Sequence, residues 1–94
     1  MQCMDIINLL DKKAPREYAL EWDHVGLLVG RRDREVRKLL LVLDVTESVI
    51  DEAISKGVDM IVSHHPMIFG KVDRVNDETV LGRKILKLIE HGIC

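Results

Sequence analysis

Aromatic side chains are scarce: one Trp, one Tyr and one Phe among 94 residues. They offer no platform for stacking successive bases, and a formal net charge of -2 gives no overall pull toward nucleic acid. Cysteine is equally sparse. Cys3 and Cys94 lie at opposite ends with no paired spacing, so neither a disulfide framework nor a cysteine-based zinc knot is readable, and a reducing cytoplasm is the simplest expected setting. Neither a long apolar run nor a basic-then-apolar leader is present, which points away from membrane and export. Gly26, Gly30 and Gly70 make neither a phosphate-binding loop nor a dinucleotide fingerprint, and no serine sits in a nucleophile-elbow motif.

What is present suits a soluble α/β chain. Hydrophobic residues at 47% and charged residues at 32% are ordinary globular proportions, and the length predicts one folding unit over residues 1–94 with a core of marginal size. Cys3, Ile6, Ile7, Leu10 and Ala14 recur with helical spacing, and Ala14-Pro15 ends the run because proline disfavours helical geometry in the residue before it. Val25–Val29 reads as a short strand bounded by Gly30, followed by the polar connection Arg31–Glu35. Leu39–Leu43 is apolar without alternation, which predicts a central strand covered on both faces.

Thr46 is placed to cap a helix whose inner face is Val49, Ile50, Ala53 and Ile54, with Gly57 as its stop. Val58–Val62 is the next strand. A strand, a helix and a strand at this spacing form a crossover unit, right-handed almost without exception, so the two strands run parallel and share one carboxyl edge. Asp77 is expected to cap a last helix with Leu81, Ile85, Leu88 and Ile89 inside and Lys84, Lys87 and His91 toward its negative end. Gly92 stops that helix, and Ile93-Cys94 reads as the start of a further strand.

The one cluster of candidate metal ligands is Ser63-His64-His65-Pro66, at the carboxyl end of the second parallel strand, where open α/β sheets place their ligands. On a regular strand His64 and His65 would face opposite ways. They serve one centre only if the backbone leaves strand geometry, which Pro66 assists, so that the imidazoles splay around a common pocket. The competing reading is a surface turn whose histidines bond water or backbone. Asp44 ends the neighbouring strand and could hold an imidazole N–H, although capping the helix near Thr46 is the preferred reading. Trp22, Asp23 and His24 form either a substrate-facing loop or, as preferred, a tryptophan anchor with Asp23 capping a turn. Arg31, Arg32, Arg34, Arg37 and Lys38 are interrupted by Asp33 and Glu35, so a solvated connection is preferred over a phosphate-binding patch.

Taken together, Glu21-Trp22-Asp23-His24-Val25-Gly26-Leu27, Val42-Leu43-Asp44-Val45-Thr46 and Ser63-His64-His65-Pro66-Met67-Ile68-Phe69 resemble the start of the YbgI-like family, the GTP cyclohydrolase I type 2 homologs. The likeness covers essentially the whole chain. One departure is His24, where the family usually has asparagine. The resemblance implies the N-terminal portion of a larger α/β fold that binds two divalent metal ions, zinc, iron or manganese, through five side chains. These are the histidine pair, an aspartate soon after, and a histidine and a glutamate near the far C-terminus; only His64 and His65 map onto this sequence. It also implies metal-assisted hydrolysis, with a nucleotide as candidate substrate, and a homo-oligomer, a dimer or a hexamer built from dimers. By itself the chain is expected to be inactive. A metal-containing scaffold that binds partners without turnover is the alternative.

Overall fold

The computed structural model describes residues 1–13 and 26–94. Cys3–Lys13 forms α1, entered through Asp5, whose carboxylate accepts the Gln2 N–H at 2.8 Å. The expected end at Ala14-Pro15 lies outside the described residues, as do Trp22, Asp23, His24 and Val25. Residues 26–29 do not form the expected strand. A strand is defined by a hydrogen-bonded neighbour, and none pairs with them among the described residues; Leu27 and Val29 serve as packing surface instead.

Leu39–Val42 (β1) and Met60–Ser63 (β2) pair in parallel with Leu39 opposite Met60 and Val42 opposite Ser63. Between them runs α2, Glu47–Lys56, so the crossover unit read from the sequence is present. Thr46 caps it as expected: its Oγ1 accepts the Val49 N–H at 3.1 Å. At the other end Gly57 takes φ 68°, a left-handed conformation that a Cβ would strain, and its N–H closes onto the carbonyls of Ala53 and Ile54.

Val80–Glu90 forms α3. Its cap is Thr79 rather than Asp77: the Thr79 hydroxyl accepts the Gly82 N–H at 2.9 Å, while Asp77 lies two residues outside and offers only its carbonyl, to Arg83. Ile85 and Leu88 are buried and Leu81 half-buried, but Ile89 is 58% exposed, so the inner face is narrower than expected. Glu47 and Asp51 on α2 meet Arg83 and Lys87 on α3, with Lys87 Nζ 2.9 Å from Asp51 Oδ1. The Asp51 carboxylate raises the Lys87 pKa above its ordinary value.

Two apolar clusters sandwich the sheet. Val45, Ile50, Ala53, Val58, Leu88 and Ile93 form one, packed against Leu40, Val42 and Ile61. Cys3, Ile7, Val36, Met60 and Cys94 form the other, packed against Val62. Helices α2 and α3 thus cover one face and α1 the other. The cover is incomplete over β1. Leu39 and Leu41, opposite Met60 and Val62, lie on the α1 side yet remain exposed, Leu41 by 70%, so β1 is not buried on both faces.

Nor is β1 central. Ile61 N–H donates to the Cys94 carbonyl at 2.8 Å and Cys94 N–H to the Asp59 carbonyl at 3.1 Å, bracketing Met60 as a parallel ladder does, on the side of β2 away from β1. Cys94 thus bonds to the free side of β2, although Ile93-Cys94 does not itself form a strand in this two-stranded sheet. Gly30 allows this arrangement, because at φ 107° a Cβ there would stand 2.7 Å from Cys94 Cβ. Burial, followed by the neighbouring Cys3 thiol, pushes the Cys94 thiol up to about 12.

Asp59 fastens the approach to β1. Its Oδ2 accepts the N–H groups of Arg37 and Lys38 at 2.8 and 3.1 Å, and its Oδ1 accepts from Arg34 Nη2 at 2.8 Å. The Arg37 N–H above all holds its carboxyl below the usual range, despite an opposing desolvation cost. Arg34 also donates to the Gly92 carbonyl, and Arg31 is clamped by Asp33. Arg31 and Arg34 are thus both engaged by groups of their own chain.

Candidate functional site

The parallel pairing ends with Val42 opposite Ser63, and both segments then bend, with Asp44 and His65 each two residues beyond the paired ends. There His65 Nδ1 lies 2.8 Å from Asp44 Oδ1. An ionised carboxylate can only accept, so a neutral imidazole in this contact donates from Nδ1 and keeps its lone pair on Nε2. Asp44 therefore engages the imidazole, and the preferred expectation that it caps α2 is corrected: Thr46 does that work with its own hydroxyl.

His64 and His65 leave strand geometry, as one centre would require. Consecutive N–H groups on a strand alternate sides, yet His64 N–H donates to the Val42 carbonyl and His65 N–H to the Leu43 carbonyl, each at 3.0 Å, toward the same neighbour. The Ser63 hydroxyl donates to the His65 carbonyl at 2.8 Å and tightens the turn. The two rings consequently stand edge to face, centroids 4.9 Å apart and planes at 83°, with both residues exposed.

A cavity of about 350 Å³ opens beside the two rings, walled by apolar residues such as Leu27, Val45, Met60 and Met67, with Ser63 and His64 among its polar lining. His65 is absent from that lining because Asp44 draws its ring toward the end of β1. Among the described residues, then, one imidazole lines this cavity and the other stands against it, their centroids 4.9 Å apart.

As metal ligands the pair fits part of a site. Two neighbouring imidazoles, one fixed in tautomer by a carboxylate, have the chemistry of a divalent-metal donor set. Among the described residues, however, no group of three or more His, Cys, Asp or Glu is placed to hold an ion. Complete centres usually take three or four protein ligands. His91 is engaged elsewhere, its Nδ1 2.9 Å from the Lys87 carbonyl at the end of α3.

The family model described as Duf34/NIF3 (NGG1p interacting factor 3) matches residues 1–94. The chain belongs to this family. Among curated Duf34/NIF3 relatives, the GTP cyclohydrolase 1 type 2 homolog of Clostridium perfringens is 44% identical over 93 residues, which are 99% of this chain and 36% of the relative. The protein of the same name from Staphylococcus aureus strain COL is 45% identical over 93 residues, 99% of this chain and 25% of its own length. This Duf34/NIF3 chain therefore spans about a quarter to a third of such relatives. The Staphylococcus aureus protein SA1388 superposes with a TM-score of 0.92 at 45% identity, covering 99% of this chain and 30% of that one. Reduced HcgD from Methanocaldococcus jannaschii gives 0.88 at 34% identity, covering 98% and 37%. These structures share the parallel-stranded helix and strand fold.

Proposed function

We propose that this chain supplies the His64–His65 part of a dinuclear divalent-metal centre in a metal-dependent hydrolase. The observation that carries the reading is the His65 Nδ1 to Asp44 Oδ1 contact of 2.8 Å, since a carboxylate behind an imidazole orients Nε2 and raises its basicity as a ligand. His64 stands beside it at the mouth of the apolar cavity, so a group held by the pair would border that space. Two such ions, when bound, lower the pKa of water and stabilise charge developing on the group under attack.

Several relatives carry the name GTP cyclohydrolase 1 type 2 homolog, which makes a nucleotide the substrate to test first. The proposed setting is the cytoplasm and the proposed assembly a homo-oligomer. No described helix is long and apolar enough to cross a membrane.

Two imidazoles leave most coordination positions to water, so calorimetric titration of this chain with zinc and with manganese should give weak binding that His64→Ala plus His65→Ala abolishes. Tight stoichiometric binding would contradict the ligand count. Asp44→Ala should weaken any zinc binding on the order of tenfold or more through the freed imidazole.

The exposed leucine face of β1 favours a second reading, a metal-containing scaffold that binds partners without turnover. In that case histidine substitutions in a full-length relative spare assembly and partner capture. In the hydrolase they remove turnover.

A further inference from the structure

Cys3 and Cys94 come from the two ends of the sequence and meet inside the fold. Both are free thiols, both are buried, and both belong to the cluster between α1 and the sheet, with Ile7, Val36 and Met60. Arg34 fixes the two backbones together. Its carbonyl accepts the Cys3 N–H at 2.8 Å, while its side chain donates to the Gly92 carbonyl at 2.7 Å and to the carboxylate of Asp59, whose own carbonyl accepts the Cys94 N–H at 3.1 Å. The first turn of α1 is thereby pinned to the segment that carries Cys94. Burial first, and then the hydrogen bond and charge of the Cys3 thiol, raise the Cys94 pKa, an influence that only close neighbours exert. The other contact of Cys94 Sγ is a long one, 3.7 Å to the Asp59 carbonyl, and a thiol is a weak donor, so little holds the sulfur back from turning.

We propose that Cys3 and Cys94 are a reversible redox pair, which a peroxide joins into a disulfide that staples α1 to the sheet. The inference is independent of metal binding. Cys94 reacts first, because it keeps 8% exposure whereas Cys3 has none. A small uncharged oxidant such as hydrogen peroxide suits so confined a place. The Cys94 thiolate attacks one peroxide oxygen, an S–O bond forms as the O–O bond breaks, and the departing hydroxide takes the thiol proton to become water. The Cys3 sulfur then attacks the sulfenic sulfur, the S–S bond forms as the S–O bond breaks, and the hydroxyl leaves with the Cys3 proton as a second water. Two thiols give up two electrons and one peroxide becomes two waters.

The setting makes the pair slow. With thiolate scarce at Cys94, it responds to sustained oxidant and not to a brief pulse. In a reducing compartment the thiol form is the resting one, and exchange with a small dithiol restores it. Once formed, the bridge closes nearly the whole chain into one loop, and the freedom it removes from the unfolded state raises stability. It also acts at a distance from the sulfurs. Cys94 is bonded through its N–H and carbonyl to Asp59 and Ile61, so the staple ties α1 to the strand that ends at His64 and His65.

Treating the folded chain with hydrogen peroxide, quenching with catalase and then adding N-ethylmaleimide in urea tests the proposal by mass. The expected product has both sulfurs closed to the maleimide and yields a peptide joining Cys3 to Cys94 within one chain, and dithiothreitol returns both thiols. Its thermal unfolding midpoint should lie about 10 °C or more above that of the reduced chain. In Cys3→Ser the Cys94 sulfenic acid has no resolving partner and should be captured by dimedone instead. Forming the bridge in urea before refolding separates geometry from access: the bridged chain should regain its circular dichroism spectrum and the same raised midpoint. A folded chain that keeps both thiols in excess peroxide, links them between molecules, or carries Cys94 on to the sulfinic acid overturns the proposal. So does a bridged chain whose midpoint is no higher than that of the reduced one, since the two thiols would then serve only as small apolar packing.

Discussion

Asp59 shows how much a single carboxylate can organise. It collects two backbone N–H groups and a guanidinium at the point where the chain enters β1. Its folded-state pKa is depressed, so the stability it contributes is fully present above the unfolded carboxyl value near ~4 and is lost as pH falls through the lower folded value. Asp59→Asn should therefore cost on the order of 1–2 kcal/mol at neutral pH. Urea midpoints of variant and wild type should converge as the solution is acidified. At this same scale the sequence leaves Asp44 two roles, and local capping propensity favours the one that Thr46 fills. Cap-competent residues advertise themselves locally, whereas the partner of Asp44 is 21 positions away. The signal that could have found it is arithmetic: Asp44 and His65 each lie two residues beyond paired strand ends.

Among the elements, α3 is the most demanding. Gly82 is buried there, and a Cβ on it would run into the carbonyl oxygen of Asn76. Gly82→Ala should consequently destabilise the chain by roughly 1–3 kcal/mol, although alanine is the better helix former. Thr79→Ala removes only the capping bond and should cost about 1 kcal/mol. Thermal denaturation of the two variants side by side gives both the order and the size. The helices themselves were legible, because apolar spacing and capping residues are local properties of the chain. The choice between Asp77 and Thr79 was not, since both residue types cap well and only the reach to the Gly82 N–H separates them. Leu39–Leu43 was legible as a strand but not in its burial. An unbroken apolar run states that both faces tolerate cover; what covers each is set by the length and placement of α1, α2 and α3.

For the molecule as a whole, stability rests on two thin clusters that share one small sheet. Ile50 is fully buried in the larger one. Truncating it should cost about 2–5 kcal/mol, a large share of the roughly 5 kcal/mol at the low end for domains. Ile50→Ala is expected to be largely unfolded at 37 °C by circular dichroism. The sandwich was legible from the alternation of helix and strand. The meeting of residue 3 with residue 94 was not, because no local spacing encodes it. Cys3 and Cys94 are the only thiols of the chain; Cys3 is fully buried between α1 and the sheet, whereas Cys94 keeps a small exposure and lines the cavity. An alkylating reagent can reach Cys3 only when that helix lifts away, while at Cys94 it is the scarcity of thiolate that slows attack. Peptide mass spectra taken during labelling of the native protein should show the Cys3 adduct growing at a rate set by how often the N-terminal helix departs, with no foreign probe attached.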